Sequence, residues 1–244
     1  MNIFMFSSGR LPTSKKLLDY GLPDIAACFE KQQVRKVVFI PYAAIRAGYD
    51  EKVDILRDSL AALPVDVKGI HEFADPVEAI RQADAIMVSG GNSWLLNKLL
   101  HDNGLIEPIR DAVLNKQAVY IGWSAGANVC SPSMCTSNDM CVVDAAITAA
   151  LHFVPFNINP HYIDASIENH TGETRDERLL EFCIENPHKI VIGIPEGSWL
   201  HLDDTGLSYH CPANRPLTWF KFNRPNTTLM PGENMDFFID NDNY

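Results

Sequence analysis

Short apolar runs alternate with segments whose apolar residues recur at helical spacing, and this alternation limits the fold more than any other feature. Segment Ala85–Val88 is a run of the first kind, whereas Val53, Leu56 and Leu60 follow the helical period. Repeated strand–helix–strand units build a parallel sheet with right-handed crossovers. The sequence therefore predicts an α/β fold, with a mostly parallel sheet and helices on both faces.

The same patterns predict where the elements lie. Strands are predicted over residues 2–6, Lys36–Ile40, 65–70, Ala85–Val88, 117–122 and 189–194. Helices are predicted over residues 50–63, 76–83 with Asp75 as N-cap, 93–100 and 105–114. The polar segment 131–143 is predicted to be a surface loop, and the tail after Pro212 to form extra edge strands. Since no linker divides residues 1–244, we expect one domain.

Composition and charge exclude several classes of protein. Hydrophobic residues make up 46% and charged residues 21% of the 244 residues, as in ordinary globular proteins. The net charge is −11, so neither nucleic acid nor an anionic membrane is an expected partner. No apolar run reaches the ~18 residues of a membrane-spanning helix. The first residues are too short an apolar run for a signal peptide, which predicts a cytoplasmic protein.

The segment Gly122-Trp123-Ser124-Ala125-Gly126 directly follows a predicted strand and precedes a helical segment. It matches the pattern Gly-x-Ser-x-Gly, in which a sharp turn exposes a serine hydroxyl at the carboxyl end of a strand. The backbone N–H of Ala125 would then be available to a developing oxyanion. We interpret Ser124 as a candidate nucleophile. The alternative is a structural turn in which Ser124 is only a helix N-cap.

A second glycine turn, Gly90-Gly91-Asn92, follows another apolar strand and opens another predicted helix. Its backbone N–H groups would face Ser124 across the edge of the sheet and give an oxyanion its second donor. The turn lacks the Gly-Lys-Ser/Thr sequence of a phosphate-binding P-loop. The alternative is a plain turn with Asn92 or Ser93 as the helix cap.

A nucleophilic serine needs a base and an acceptor that orients the base. Of the eight histidines, His161 follows a proline that would hold its ring in place, and His170 is the next candidate. Glu196 lies just past the strand predicted at 189–194, and active sites of open parallel sheets gather at the carboxyl ends of strands. Glu196 is therefore favoured as the orienting acid over Asp139, whose alternative role is an Asx turn.

Six short segments occur in the order and spacing of one known family. They are residues 120–128 (YIGWSAGAN), 88–92 (VSGGN), 137–140 (SNDM), 158–161 (INPH), 170–175 (HTGETR) and 194–197 (IPEG). Together they resemble the peptidase E family of α-aspartyl dipeptidases, from the first strand to about Trp199. The resemblance implies a flavodoxin-like sheet, related to that of class I glutamine amidotransferase domains. It also implies a serine peptidase that cleaves dipeptides with N-terminal aspartate.

Carried over by position, the resemblance implies that Ser124 is the nucleophile, His161 the base and Glu196 the third member of a triad. It also implies that Gly91 and Ala125 are the oxyanion donors, with no metal or cofactor. The chain order serine, histidine, acid differs from the serine, acid, histidine order of common α/β-hydrolases. An ordinary lipase or esterase is therefore not expected.

This chain also departs from the family pattern. It has Ser198 where the family has asparagine after Pro-Glu-Gly, and segment 135–144 and the C-terminal region differ. These departures from the family pattern affect the expected substrate range more than the expected reaction type.

No two of the six cysteines have Cys-x-x-Cys spacing, so the sequence suggests no zinc site.

An aspartyl substrate needs a cation in contact, because charges farther than ~8 Å are screened at physiological salt. Arg175 is the candidate, since a planar guanidinium pairs bidentately with a carboxylate. The alternative is a surface ion-pair network between Arg175 and the acidic residues around it. Asn92 and His170 are also expected to contact the substrate.

Two other functions stay open at this point. One is a cyanophycinase-like or other serine hydrolase on the same scaffold, which would cut an aspartyl-arginine polymer in an open groove. The other is a non-catalytic binding module. An amidotransferase is disfavoured, because Ser124 stands where that chemistry uses cysteine. Small peptides are the expected partners, and the sequence leaves a homodimer open.

Overall fold

A computed structural model of the chain describes residues 1–165 and 171–240. The strands are β1 (Ile3–Phe6), β2 (Lys36–Ile40), β3 (Asp66–Gly69), β4 (Ala85–Val88), β5 (Val119–Trp123), β6 (Asn157–Asn159), β7 (Ile190–Gly193), β8 (Trp199–Asp203), β9 (Gly206–His210), β10 (Leu217–Lys221) and β11 (Thr227–Leu229). The helices are α1 (Leu22–Lys31), α2 (Tyr49–Leu60), α3 (Pro76–Arg81), α4 (Ser93–Asp102), α5 (Ile106–Leu114), α6 (Ala125–Asn128) and α7 (Arg175–Glu185). Each predicted strand and helix has a counterpart, whereas α1, α7, β6, β8 and β9 were not anticipated.

The larger sheet has seven strands in the order β3-β2-β4-β5-β1-β8-β9. The five from β3 to β1 pair in parallel, and β8 and β9 extend the sheet in antiparallel fashion. This mixed sheet confirms the predicted α/β class. It also brings the carboxyl ends of β1, β4 and β5 to one edge.

Two hydrophobic cores cover the two faces of this sheet, as the alternation of side chains along β1 shows. Ile3 and Met5 belong to the core that contains Leu96 of α4. Phe4, on the opposite face, belongs to the core that contains Ile25 of α1. Burial of each such side chain contributes ~1.5–3 kcal/mol, so the helices are held on both faces.

A second, smaller sheet contains four strands from the second half of the chain, β6, β7, β10 and β11. Its order is β11-β10-β7-β6, with β6 and β7 parallel and the other pairs antiparallel. The strand predicted at 189–194 is β7 and lies in this sheet, because its hydrogen-bonding partners are β6 and β10. The tail does form strands, but β10 lies inside the sheet and only β11 is at its edge.

The segment predicted to be a surface loop is mostly buried over residues 131–136, so that prediction was wrong for its first half. Side-chain amides satisfy its backbone there: Asn157 donates to the Ser133 carbonyl at 2.7 Å, and Asn159 donates to the Thr136 carbonyl at 2.8 Å. Because these carbonyls are paired, the segment can leave water without losing hydrogen bonds.

No helix within residues 1–165 and 171–240 is both long enough and apolar enough to cross a membrane. The aspartate cap of α3 is formed as predicted, since Asp75 accepts from Glu78 N. Asn92 caps α4 by accepting from Leu95 N, as in the alternative interpretation of the glycine turn. The expectation of one domain stays a prediction.

Candidate active site

The turn after β5 holds Ser124 in a backbone conformation that side-chain-bearing residues rarely adopt. Its φ is +52° and its ψ is −112°. Such backbone costs ~1–3 kcal/mol and persists only where the surroundings fix it. Here the Ser124 N–H donates to the Phe6 carbonyl of β1 at 3.0 Å, and α6 begins at the next residue. The strained strand-to-helix turn expected from the sequence is thus formed.

Glycines allow the backbone around Ser124 to pack without side chains. A Cβ added at Gly122 would lie 2.2 Å from the Gly126 carbonyl oxygen, and one added at Gly126 would lie 2.3 Å from the Val88 carbonyl oxygen. A Cβ at Gly90 would lie 2.9 Å from Ser124 Cβ. The turn after β4 and the turn after β5 therefore meet through bare backbone.

The turn after β4 also contains a glycine, Gly91, whose N–H donates to no acceptor among the described residues. Gly91 has φ +141°, and a Cβ there would lie 2.1 Å from the Ala43 carbonyl oxygen, so only glycine fits. The same carbonyl accepts from Asn92 N–H at 2.9 Å. Within the described ranges, neither Gly91 N–H nor Ala125 N–H has a hydrogen-bond acceptor. The role of these two groups as oxyanion donors stays a prediction.

Ser124, His161 and Glu196 form one hydrogen-bonded series. His161 Nε2 lies 2.7 Å from Ser124 Oγ, and His161 Nδ1 lies 2.5 Å from Glu196 Oε1. Ser124 follows β5, whereas His161 and Glu196 follow β6 and β7 of the smaller sheet. The side chains of His161 and Glu196 are 39% and 41% exposed, so the series is open to a substrate.

Asp139, the rival acid, lies elsewhere. Its Oδ2 accepts from Ser93 N–H at 2.7 Å and from Ser93 Oγ–H at 2.8 Å, at the first turn of α4. A carboxylate there stabilises the helix by satisfying a free N–H group and by its charge. The structure therefore brings Glu196, and not Asp139, to the imidazole of His161.

The surroundings of Glu196 favour its ionised form. The hydrogen bond from His161 is the main cause that lowers the pKa of this carboxyl group, and partial burial opposes it. A hydrogen bond from Ser8 and the charge of Arg215 lower the pKa further. Arg215 also donates to the backbone carbonyl of Glu196. Glu196 is thus a carboxylate at neutral pH.

Ser7 and Asn138 form hydrogen bonds with the backbone at Pro160 and His161. Neither residue was named as a candidate site residue from the sequence. Ser7 is fully buried, and its Oγ accepts from His161 N–H and donates to the Ile194 carbonyl, both at 2.9 Å. Asn138 Nδ2 donates to the Pro160 carbonyl at 2.7 Å. A signal for Ser7 was present, because it directly follows an apolar strand, as Ser124 does.

Arg175 is the first residue of α7 and lines a cavity of about 270 Å³ together with Arg178 and residues 135–140. Ser124, His161 and Glu196 are not among the residues that line it. Burial, followed by the charge of Arg178, lowers the pKa of the Arg175 guanidinium. A guanidinium still stays charged at neutral pH.

The ion-pair network considered for Arg175 is absent from the described residues. Glu173 pairs with Arg178 at 3.8 Å, and Glu177 accepts from Thr174 N–H at 2.6 Å. Asp176 accepts from Tyr162 and Asn226 side chains. Within residues 1–165 and 171–240, Arg175 therefore has no carboxylate partner.

Asn92 and His170 were also expected to contact the substrate. Asn92 uses both polar atoms within the protein, since its Oδ1 accepts from Leu95 N–H at 3.0 Å and its Nδ2 donates to the Met140 carbonyl at 2.9 Å. It is therefore a helix cap, and a substrate contact for it stays a prediction. His170 lies outside the described residues. Among the described residues, no three His, Cys, Asp or Glu side chains converge on a common point.

Comparison with known proteins identifies the family of this chain. The model of peptidase family S51 matches residues 3–209. Peptidase E of Salmonella gallinarum is 42% identical over 219 residues, which cover 90% of this chain and 91% of that protein. Peptidase E of Salmonella newport is 42% identical over 204 residues, covering 84% and 87% of the two chains.

A solved structure supports the fold independently. The crystal structure of a peptidase from an acI-B1 actinobacterium has a TM-score of 0.68 and 20% sequence identity, and the match covers 97% of this chain and 96% of that one. At 20% sequence identity, the structural similarity establishes only the fold. The family match and the curated relatives establish the family to which the chain belongs. The chain belongs to peptidase family S51 and is a serine-type peptidase.

Proposed function

We propose that the protein is a dipeptidase that hydrolyses Asp-X dipeptides through an acyl-enzyme on Ser124. The observation that carries the proposal is the hydrogen-bonded series of Ser124, His161 and Glu196 in a chain of this peptidase family. The relatives named peptidase E support the same reaction type. The aspartyl preference is inferred from the resemblance and from Arg175, which has no carboxylate partner within residues 1–165 and 171–240.

Acylation begins at the serine. With the imidazole proton on Nδ1, His161 Nε2 accepts the Ser124 proton as Oγ attacks the peptide carbonyl carbon. The carbonyl oxygen becomes an oxyanion, for which Gly91 and Ala125 N–H groups are the donors. One such donor contributes ~3 kcal/mol to the transition state. The Glu196 carboxylate holds the imidazole in place and stabilises the imidazolium that forms.

The imidazolium then gives its proton to the leaving amine, and the C–N bond breaks. An ester between Ser124 Oγ and the aspartyl carbonyl remains. Water attacks this ester as His161 takes a proton from it, and collapse of the second tetrahedral intermediate returns a proton to Ser124 and releases aspartate. The same imidazole therefore carries every proton transfer.

Arg175 is the proposed partner of the substrate β-carboxylate. It lines a cavity, and the acidic residues next to it in sequence bind other groups. A guanidinium that is half-buried and has no carboxylate partner among the described residues would be satisfied by an anionic ligand, through a bidentate contact. A neutral first residue would leave it unsatisfied.

The proposal is tested with the purified protein and the dipeptides Asp-Leu, Glu-Leu, Asn-Leu, Leu-Leu and Leu-Asp. We expect kcat/KM for Asp-Leu to exceed that for Leu-Leu at least ~100-fold, as for a buried charge-assisted pair worth ~3 kcal/mol. Equal rates for all five would contradict the aspartyl preference. Cleavage of N-acetyl-Asp-Leu as fast as Asp-Leu would favour the cyanophycinase-like alternative, which needs no free amine.

Arg175→Ala should raise KM for Asp-Leu about 10- to 100-fold, because a charge-assisted contact worth ~1.5–3 kcal/mol is lost. Arg178→Ala is the matched control, since Arg178 lines the same cavity but pairs with Glu173. An unchanged preference for Asp-Leu in Arg175→Ala would remove this residue from substrate recognition. The cytoplasmic location and a homodimer stay predictions.

A further inference from the structure

The peptide bond between Pro160 and His161 is held at both ends by side chains from distant parts of the chain. Its carbonyl oxygen accepts from Asn138 Nδ2 at 2.7 Å, and its N–H donates to Ser7 Oγ at 2.9 Å. Since a peptide unit is planar and rigid, fixing the carbonyl and the amide together fixes the plane from which His161 projects.

Ser7 ties this peptide to the segment that carries the acid. Its Oγ donates to the Ile194 carbonyl at 2.9 Å, two residues before Glu196. Its N–H donates to the Ser198 carbonyl at 2.9 Å, two residues after Glu196. Ser7, which is fully buried, thus contacts the backbone on both sides of Glu196 and the backbone N–H of His161.

Asn138 ties the same peptide to the other side of the site. Its Oδ1 accepts from Asn159 Nδ2 at 2.6 Å, so both ends of its amide bind the segment that leads to His161. The next residue, Asp139, binds Ser93 at the start of α4. Asn138 and Asp139 therefore link the segment that precedes His161 to the first turn of α4.

The backbone of His161 needs such support. Its φ is +54°, in the left-handed region that few residues other than glycine occupy. A strained conformation of this kind persists only where several contacts fix it. The contacts of Ser7 and Asn138 are the ones that act on the peptide entering this residue.

We propose that Ser7 and Asn138 are positioning residues that hold the His161 imidazole between Ser124 and Glu196. The proposal rests on the proposed role of His161 as the base. Among the described residues, neither side chain is hydrogen-bonded to the imidazole, the Ser124 hydroxyl or the Glu196 carboxylate, so both act through the backbone that orients His161. Loss of either contact should therefore lower kcat for Asp-Leu.

The Asn138 side chain is exposed, so its replacement should leave the fold intact. We expect Asn138→Ala to lower kcat at least about tenfold, since small displacements of catalytic groups have effects of 10- to 100-fold. The readout is kcat and not KM, because Asn138 also lines the cavity of Arg175 and its replacement changes that cavity. Asn138→Asp should lower kcat at least as much as Asn138→Ala, because a carboxylate has no N–H to donate to Pro160.

Labelling of Ser124 by a fluorophosphonate gives a readout that is independent of dipeptide binding. In that reaction the Oγ–phosphorus bond forms, fluoride leaves and the serine proton passes to the base. The labelling rate of Asn138→Ala should fall together with kcat. Asn103→Ala is the matched control: Asn103 is equally exposed and donates to the Leu99 carbonyl at the same 2.7 Å, at the far end of α4. It should retain wild-type kcat and labelling.

Ser7→Ala and the double variant with Asn138→Ala complete the test. Because both residues hold one peptide, the double variant should lose less kcat than the product of the two single losses. If Ser7→Ala does not fold, as judged by circular dichroism, the two Asn138 variants decide the matter alone.

Wild-type kcat and labelling in Asn138→Ala or Asn138→Asp, a loss confined to KM, or an equal loss in Asn103→Ala would each overturn the proposal. Ser124→Ala is assayed in the same series. Retained hydrolysis in Ser124→Ala would instead overturn the proposed function, so the two failures are distinguishable.

Discussion

The serine side of the site and the histidine side are built by different means. Ser124 belongs to a turn of the larger sheet in which glycines let backbone pack directly against backbone. His161 and Glu196 come from the smaller sheet, are about two-fifths exposed, and depend on side-chain hydrogen bonds. The serine side is encoded within five consecutive residues, whereas the histidine side needs partners far away in sequence.

This difference predicts two kinds of failure. On the serine side, an added carbon atom should disturb the fold itself, because there is no room for it. On the histidine side, the loss of a hydrogen bond should change the rate and leave the fold nearly intact. The four tests below separate these outcomes, beginning with the one expected to change activity most.

Ser124→Ala should lower kcat/KM for Asp-Leu by about 10⁴- to 10⁶-fold, since removal of a triad nucleophile leaves only binding and oxyanion stabilisation. The methyl group fits wherever the hydroxymethyl group fits, so the melting temperature should change by only a few degrees. Steady-state hydrolysis and thermal denaturation measure the two effects. Activity within tenfold of wild type would exclude Ser124 as the nucleophile.

Glu196→Gln should lower kcat by about 10⁴-fold, because an amide no longer stabilises the imidazolium and favours the wrong tautomer. Asp139→Asn is the comparison. It should cost less than tenfold in kcat and about 1 kcal/mol in the free energy of unfolding, as for a weakened helix cap. The pair is compared by hydrolysis and by urea denaturation, and equal losses of activity would return Asp139 to the triad.

Gly126→Ala should lower the free energy of unfolding by about 3 kcal/mol, because the new Cβ would lie 2.3 Å from the Val88 carbonyl oxygen. Gly48→Ala is its control. Nothing lies within 4 Å of a Cβ there and φ is −67°, so stability should stay within about 1 kcal/mol of wild type. Urea denaturation measures both variants, and similar results for the two would show that the serine turn tolerates side chains.

The pH dependence of stability should show the smallest effect. The pKa of Glu196 is lowered from its ordinary 4.5, mainly by the hydrogen bond from His161. A carboxyl group of this kind stabilises the fold above its unfolded pKa, and that contribution is lost as the pH falls through the folded value. Because the side chain is 41% exposed, solvent screening keeps the contribution small.

We therefore expect the melting temperature of wild type to fall more steeply below about pH 4.5 than that of Glu196→Gln. Thermal denaturation of both proteins between about pH 3 and pH 7 measures the difference. Identical curves would mean that the contact between Glu196 and His161 contributes nothing to stability.

Much of the larger sheet could be predicted, because apolar runs mark its buried strands. The turn around Ser124 could also be predicted, because the Gly-x-Ser-x-Gly pattern that indicates it lies within five consecutive residues. The partners of β7 could not, because an apolar pattern indicates burial and does not identify the neighbouring strand. Glu196 was expected at the edge of a single parallel sheet, yet this residue reaches His161 from the smaller sheet.

The residues around His161 were less accessible to prediction. Ser7 and Asn138 are single polar residues, and their contacts join segments 154 and 22 positions apart. No periodicity or short motif encodes pairing over such separations. The burial of residues 131–136 in the predicted loop 131–143 was missed likewise, because polar composition gives no sign that side-chain amides elsewhere satisfy the backbone of this segment.

The position of β1 between β5 and β8 has a consequence for biosynthesis. The strand made first borders β5 on one side and, on the other, β8, which follows Glu196 in the chain. A polypeptide emerging from the ribosome thus acquires its serine hydroxyl well before its orienting carboxylate. Until residues 196–203 have been made, β1 lacks one of its two neighbouring strands and His161 lacks the carboxylate that orients it.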